Sequence, residues 1–386
     1  MKKETKQIFL VFLAYYFITC FSDVYMVFVP FFEKRGASPR AAGLFISCFY
    51  LVRMLSRPLG SCTIEKLGMR KTLVVSAIMS ILTSIGIAFS LSNYPLVILF
   101  RSISGISDSI FVCATVAYQS MVLDYKSRGL GFALFTTGST LPMATIVPLS
   151  EWLINMQMAT TYIMLPVIIT TICLGTAFMI NDIPPSVKKD KEWGSYSDMF
   201  RVRGVKIFYL SCVILLIADG TMMVFSSLAQ ERRVSVSYFM ISLSLAAFII
   251  RTIGYKIINK IPRLLLAGPT GALMGLSIFC VSFTSNPQMW VLWGIAYGVG
   301  IGIGYPVHFS IVGDLLPVEF HPKATSTVLF CVDLGWGVIP LIYGIVSPVI
   351  GASWTFRLIG LSALISMTAM HFVLWLPLWR EKRKAV

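Results

Sequence analysis

Charge is scarce in this chain. Only 13% of its 386 residues are Asp, Glu, Lys or Arg, about half the share a soluble domain carries. Histidine is scarcer still. His308, His321 and His371 lie far apart, so no ligand pair for zinc exists. The eight cysteines (Cys20, Cys48, Cys62, Cys113, Cys173, Cys212, Cys280 and Cys331) form no CxxC pair and fall in or beside apolar runs. They read as small apolar fillers, not as a disulfide or metal framework. A GKS or GKT phosphate loop and a nucleophile elbow are also missing. The glycines 298, 300, 302 and 304 miss the GxGxxG pattern and follow no strand, so they read as close helix contact or flexing. These absences leave no support for an enzyme, a cofactor or a metal site.

What the chain has is oil. Hydrophobic residues make up 56% and the mean hydropathy is +0.80. Apolar runs can be marked at about 8–31, 40–60, 71–92, 95–119, 128–150, 159–181, 206–229, 236–258, 264–285, 288–312, 324–348 and 354–378. Each is long enough to cross a bilayer as a helix. Lipid offers the backbone no hydrogen-bond partners, so helix is the form each must take. The runs are too long, and alternate too little, for barrel strands. The expected fold is an all-α membrane protein of twelve transmembrane helices in two pseudo-symmetric six-helix bundles.

The net charge of +15 sits in the connectors, which fits membrane topology and anionic lipid better than a nucleic-acid groove. With the N-terminus inside, the inner segments collect most of the Lys and Arg. The outer ones hold Lys34, Arg35, Arg40, Arg232, Arg233 and Arg357. Both termini are therefore expected in the cytoplasm. Met-Lys-Lys-Glu-Thr-Lys opens the chain, but the apolar run after it is too long for a signal peptide and reads as a retained first helix. The domain reading is 1–181, a Pro-initiated charged cytoplasmic linker at 182–205, and 206–386.

The stretch 57–71 is a short basic connector between two runs: Arg57, Gly60, Glu65, Lys66, Gly68, Arg70 and Lys71. Its spacing recurs as Arg251, Gly254, Asn259 and Lys260. Asp23 is echoed by Asp219, each followed by Met-Val-Phe and then by Glu33-Lys34-Arg35 or Glu231-Arg232-Arg233. Asp124 and Arg128 are echoed by Glu319 and Lys323. All these echoes fall roughly 195 residues apart, the mark of an internal duplication with a site expected between the halves near the midplane.

These residues resemble the major facilitator superfamily, over essentially the whole chain. Its signature between helices two and three is glycine, three variable residues, Asp-Arg, one variable residue, glycine and then basic residues. Here it reads Gly60 or Ser61, Glu65-Lys66-Leu67-Gly68-Met69-Arg70-Lys71, with the charge pattern kept. The resemblance implies that this connector gates the cytoplasmic face by charge pairing. Arg101 and Gly105 match a helix-four signature of the drug–proton antiporters. The Gly-Pro pair of their helix five is degraded here to Gly138-Ser-Thr-Leu-Pro142, a departure from the export pattern.

The informative charges are those sunk in the runs: Asp23, Arg53, Arg101, Asp108, Asp219, Arg251 and Asp333, with His308 beside them. At about 3 kcal/mol each on insertion scales, they are tolerable only facing a wet cavity or one another. Arg101, Gly105, Asp108, Val112, Thr115 and Gln119 share one helix face, as do Tyr16, Thr19 and Asp23. Helices one and four line the cavity in the family the chain resembles. Asp23 is then expected to carry a proton with Arg101 as its modulator, and Asp108 is a further proton-coupling candidate. Tyr16, Arg53, Asp219, Asp333 and Arg251 are the candidates for substrate contact.

The function expected is alternating-access secondary transport in the cell inner or plasma membrane. The cargo is a small polar, zwitterionic or anionic compound (a drug or a secreted metabolite such as a metallophore), exported in exchange for protons. The partners are substrate, protons and membrane lipid, with no nucleic acid and a monomeric chain. Import of an organic acid, sugar or peptide fragment is the second reading. A non-transporting membrane sensor or scaffold is the third.

Overall fold

The computed structural model describes residues 3–122, 128–182, 195–202, 204–254, 261–317 and 320–384. Among them there is helix and no strand. The chain divides into two compact units, Met1–Val187 and Lys188–Val386. Most of the linker expected at 182–205 lies outside the described residues, as do Asp124, Asn259, Lys260 and Glu319.

Unit one runs α1 (Lys3–Asp23), a 3-10 turn (Val24–Val27), α2 (Phe28–Glu33), α3 (Pro39–Leu55), α4 (Arg57–Leu67), α5 (Met69–Phe89), α6 (Tyr94–Val122), α7 (Arg128–Asn155) and α8 (Ala159–Met179). Unit two runs α9 (Tyr196–Arg201), α10 (Val205–Gly220), a 3-10 turn (Thr221–Val224), α11 (Phe225–Arg232), α12 (Ser237–Ile249), α13 (Arg263–Val281), α14 (Pro287–Leu315), α15 (His321–Ile350), α16 (Ala352–Met370) and α17 (Leu376–Lys384). Five-residue π turns follow α12 (Ile250–Gly254) and α16 (His371–Trp375). Ten helical stretches among the described residues are long and apolar enough to cross a membrane, or eleven if a bent pair counts as one. The run expected at 128–150 is α7.

The bent pair changes the reading of the 57–71 connector. Pro58 cannot donate a backbone N–H and its ring crowds the preceding turn, so the helix breaks at Ser56. The chain then continues as α4, turned by 55°. The apparent loop is thus mostly helix. Its true turn is Gly68, whose φ of +81° suits glycine best.

The two units pack alike. In unit one α6 lies on α3 and α5, α5 on α8, and α1 on α7 and α8. In unit two α14 lies on α12 and α13, α13 on α16, and α10 on α15 and α16. Without a hydrophobic drive between helices in lipid, small residues let backbones close. Gly105 faces the carbonyl of Phe49, and Gly220 and Gly335 face each other's helix backbone with no room for a side chain. Hydroxyls stitch the α5–α6 seam: Ser80 and Ser107 share a hydrogen bond of 2.9 Å. Proline and asparagine or serine start two helices, with Ser38 accepting from Ala41 N and Asn286 from Gln288 N. Glu231 caps α16, accepting from Ala352 N at 2.7 Å and from the Ser353 hydroxyl at 2.5 Å. Pro306 interrupts the backbone ladder of α14 just beyond its glycine run.

Candidate functional site

In both units the first long helix gives way to a 3-10 turn beside an acid: Asp23 ends α1, and Asp219 is the penultimate residue of α10. Asp219 has no exposed surface. Its Oδ1 accepts from the Tyr297 hydroxyl at 2.8 Å. Its Oδ2 accepts from the Tyr305 hydroxyl at 3.0 Å and from the Trp336 indole N–H at 2.6 Å. No Lys or Arg bonds to it among the described residues. Hydrogen bonds to an ionised group contribute about 1.5–3 kcal/mol each, so three of them offset much of the several kcal/mol that burying the carboxylate costs.

Other candidates surround this acid. Asp333 is fully buried on α15, one turn before Trp336. Its charge and that of Arg251 both act on Tyr305. Arg251 sits in the π turn after α12 and donates to the Ile301 carbonyl at 3.5 Å. His308 is buried on α14 with its Nδ1 2.8 Å from the Gly304 carbonyl.

Unit one uses cations instead. Arg53 and Asp108 form a buried ion pair at 3.1 Å, and the guanidinium lies 4.8 Å from the Tyr50 ring. Arg53, expected to meet a substrate anion, already meets one of the chain's own. Arg101 reaches neither Asp23 nor Asp108. Its guanidinium lies between the rings of Tyr25 at 4.0 Å and Phe49 at 4.2 Å. Its Nε donates to the Phe45 carbonyl at 3.4 Å. Both terminal nitrogens are buried and find no hydrogen-bond partner among the described residues. Asp23 is 1% exposed and its charge acts on Tyr50, whose hydroxyl shares a 3.2 Å bond with Ser22. Tyr16 and Thr145 share a bond of 2.8 Å.

At the connector, Gly60 packs on Cys113 of α6, and the Cys113 thiol lies 3.7 Å from the Arg57 carbonyl. Arg70 donates its backbone N–H to Asp182 at 3.2 Å and its guanidinium to the Phe178 carbonyl at 2.6 Å. Gly68 also lies against Asp182. Lys66 and Lys71 are exposed, and the Glu65 side chain is outside the described residues.

Sequence reasoning missed Tyr297, Tyr305, Trp336 and Asp182. Trp336 had a usable signal, since it follows Asp333 by three residues and shares its helix face. The tyrosines had none, because pairing across helices leaves no mark in local spacing.

Acids and arginines buried in apolar helices long enough to cross a bilayer are those of a multi-pass membrane protein. The chain belongs to the Major Facilitator Superfamily, whose family model matches residues 8–295 and 263–386. It is a transporter and not an enzyme. No curated protein matches it. Solved structures of similar fold include the inward-open xylose transporter XylE from E. coli, at 12% identity and a TM-score of 0.77, covering 95% of each chain. The human organic anion transporter MFSD10 (TETRAN) is 16% identical at a TM-score of 0.70, covering 95% of this chain and 99% of its own. A point mutant of the nucleoside transporter NupG is 13% identical at 0.74, covering 95% and 99%.

Proposed function

We propose that this transporter exports a small polar, zwitterionic or anionic organic compound across the cell membrane by alternating access, driven by protons. The observation that carries the reading is the Asp219 carboxylate, buried under three neutral donors with no cation bonded to it among the described residues. A carboxylate so held can gain or lose a proton without breaking a direct ion pair, the charge of Arg251 acting on it only from beyond hydrogen-bond reach. Asp108 lacks that freedom, because protonating it would leave Arg53 opposite a neutral group. Coupling therefore falls to Asp219, with Asp23 as its counterpart in unit one. Arg101 supports an anionic group in the cargo, since its terminal N–H donors are unpartnered. Arg251 and Asp333 lie close enough to act on the same tyrosine. The connector residues Arg57, Gly60, Glu65, Lys66, Gly68, Arg70 and Lys71, with Asp182, would serve as the cytoplasmic gate.

The test is substrate-evoked pH change in proteoliposomes across a compound library. It is repeated with Asp219→Asn and Asp23→Asn. Coupled pH change should vanish in Asp219→Asn while exchange of substrate for substrate persists. Intact coupling in that variant would refute the assignment. Uptake into energised inverted vesicles marks export, whereas accumulation by intact cells would reverse the direction.

A further inference from the structure

We propose that Arg232 and Arg357 form a binding site for one phospholipid, at the end of unit two where α11 and α13 finish and α16 begins. The site is separate from the buried acids, and neither cargo nor coupling enters into it. Two guanidinium groups reach the same corner of the chain. Arg232 donates from Nη2 to the Ser282 carbonyl. The Arg357 guanidinium lies 4.0 Å from the ring of the next residue, Phe283, and 4.5 Å from the Trp354 ring. A helix crossing below sets this corner: α13 and α16 meet at Gly275 and Gly360, where neither has room for a side chain. Phe279 beside that crossing then packs edge-on against Phe283, with centroids 5.0 Å apart.

The rings hold the Arg357 guanidinium without using its N–H groups. Arg357 makes no side-chain hydrogen bond among the described residues. Its Nε is buried without a partner, while its terminal nitrogens reach the surface. Arg232 is placed similarly, with Nε buried and unpartnered and only Nη2 bonded. The exposed Arg233 adds a third cation. Glu231 is the acid of this corner, and its carboxylate accepts from Ala352 N and the Ser353 hydroxyl. Three cations against one carboxylate leave the corner positive. Two guanidinium groups with N–H donors to spare suit a phosphate, which can accept from both. The orientation expected from the sequence puts this end outside, where Lys and Arg are least used. Their convergence there is accounted for by an anion.

The apolar surface beside the cations selects a lipid over a free phosphate. Phe283 and Trp354 are both exposed, and Trp near a helix end sits at headgroup depth. From Trp354 an exposed stripe continues along α16 through Leu358, Leu361 and Ile365. Steps of three and four residues keep these on one helix face. From first to last the stripe covers about 16 Å, roughly the depth of one leaflet. A phosphate held by Arg232 and Arg357 therefore has an acyl chain's length of apolar helix next to it.

The probe is palmitoyl-oleoyl phosphatidylglycerol added to the delipidated full chain in detergent. Native mass spectrometry reads retention, and the shift in thermal midpoint reads affinity. One lipid per chain should remain after the others are stripped. Arg232→Gln with Arg357→Gln should weaken it about tenfold or more, through the lost charge-assisted hydrogen bonds. Arg357→Lys keeps the charge but not the planar fork, and should weaken it several-fold. Arg35→Gln deletes an exposed cation of unit one and should change nothing. Diacylglycerol, which has the chains without the phosphate, should bind weakly and alike to wild type and variants. Glycerol 3-phosphate, which has the phosphate without the chains, should leave the midpoint where it was. The lipid-free midpoint of each variant verifies that it is folded. Unchanged affinity in either arginine variant, or an equal loss in Arg35→Gln, overturns the proposal. So does a shift with glycerol 3-phosphate as large as with the lipid, which would mark an anion site only. A dimer that falls to monomers in the double variant would give this face to a second copy of the chain, and overturns it as well.

Discussion

The two units share a skeleton and differ in how they keep charge in oil. Each breaks its first long helix beside an aspartate and then packs its remaining helices in the same pairs. Unit one answers buried charge with opposite charge or with rings: Arg53 holds Asp108, and Arg101 lies between Tyr25 and Phe49. At Asp219 unit two answers it with neutral donors, two phenols and an indole. An ion pair resists titration because either proton shift strands a charge. A carboxylate among neutral donors gives up hydrogen bonds one at a time. A shared skeleton therefore does not impose a shared chemistry: Asp108 and Asp219 are held in different ways.

The contrast can be broken from its strongest point. Arg53→Ala removes the cation 3.1 Å from the buried Asp108 and should destabilise the protein by about 3–5 kcal/mol, read as a lower thermal midpoint in detergent. Arg53→Met with Asp108→Leu should recover most of that loss, because the pair's removal is far cheaper than its breakage. In unit two, Trp336→Phe keeps the ring and deletes one donor, so the expected loss is about 1.5–3 kcal/mol at a pH where Asp219 is charged. If Trp336→Phe costs more than Arg53→Ala, the ranking of the two strategies is inverted. Ser80→Ala cuts one hydroxyl link between α5 and α6 and should cost about 0.6 kcal/mol. The smallest effect belongs to the Arg201–Asp198 pair, whose side chains are 79% and 56% exposed. Arg201→Ala should change stability by no more than about 0.5 kcal/mol, and salt should erase even that.

How much of this was legible beforehand depends on the range of each interaction. Apolar run length reveals the helices, because lipid leaves no other backbone solution. Asp23, Asp108 and Asp219 stand out for the same reason: a charge in such a run is conspicuous. The bend after Leu55 follows from Pro58, while the polarity of the stretch beyond it masks its helical continuity. The partners were not visible. Arg53 meets Asp108 from another helix, and Asp219 meets donors from two. Such pairings depend on helix rotation, which is set by close crossings such as Gly105 against Phe49.

One of those crossings sits immediately beside the acid. Gly220 follows Asp219, and Gly335 precedes Trp336, so the carboxylate and the indole are bolted together at the point where α10 and α15 touch backbone to backbone. Tyr297 and Tyr305 approach from α14, whose glycine run and Pro306 make it the most pliant partner. The arrangement is a vise with one fixed jaw and one hinged jaw. A flexing of α14 would loosen the tyrosine grip while the tryptophan holds, releasing Asp219 in stages with α10 and α15 still in contact.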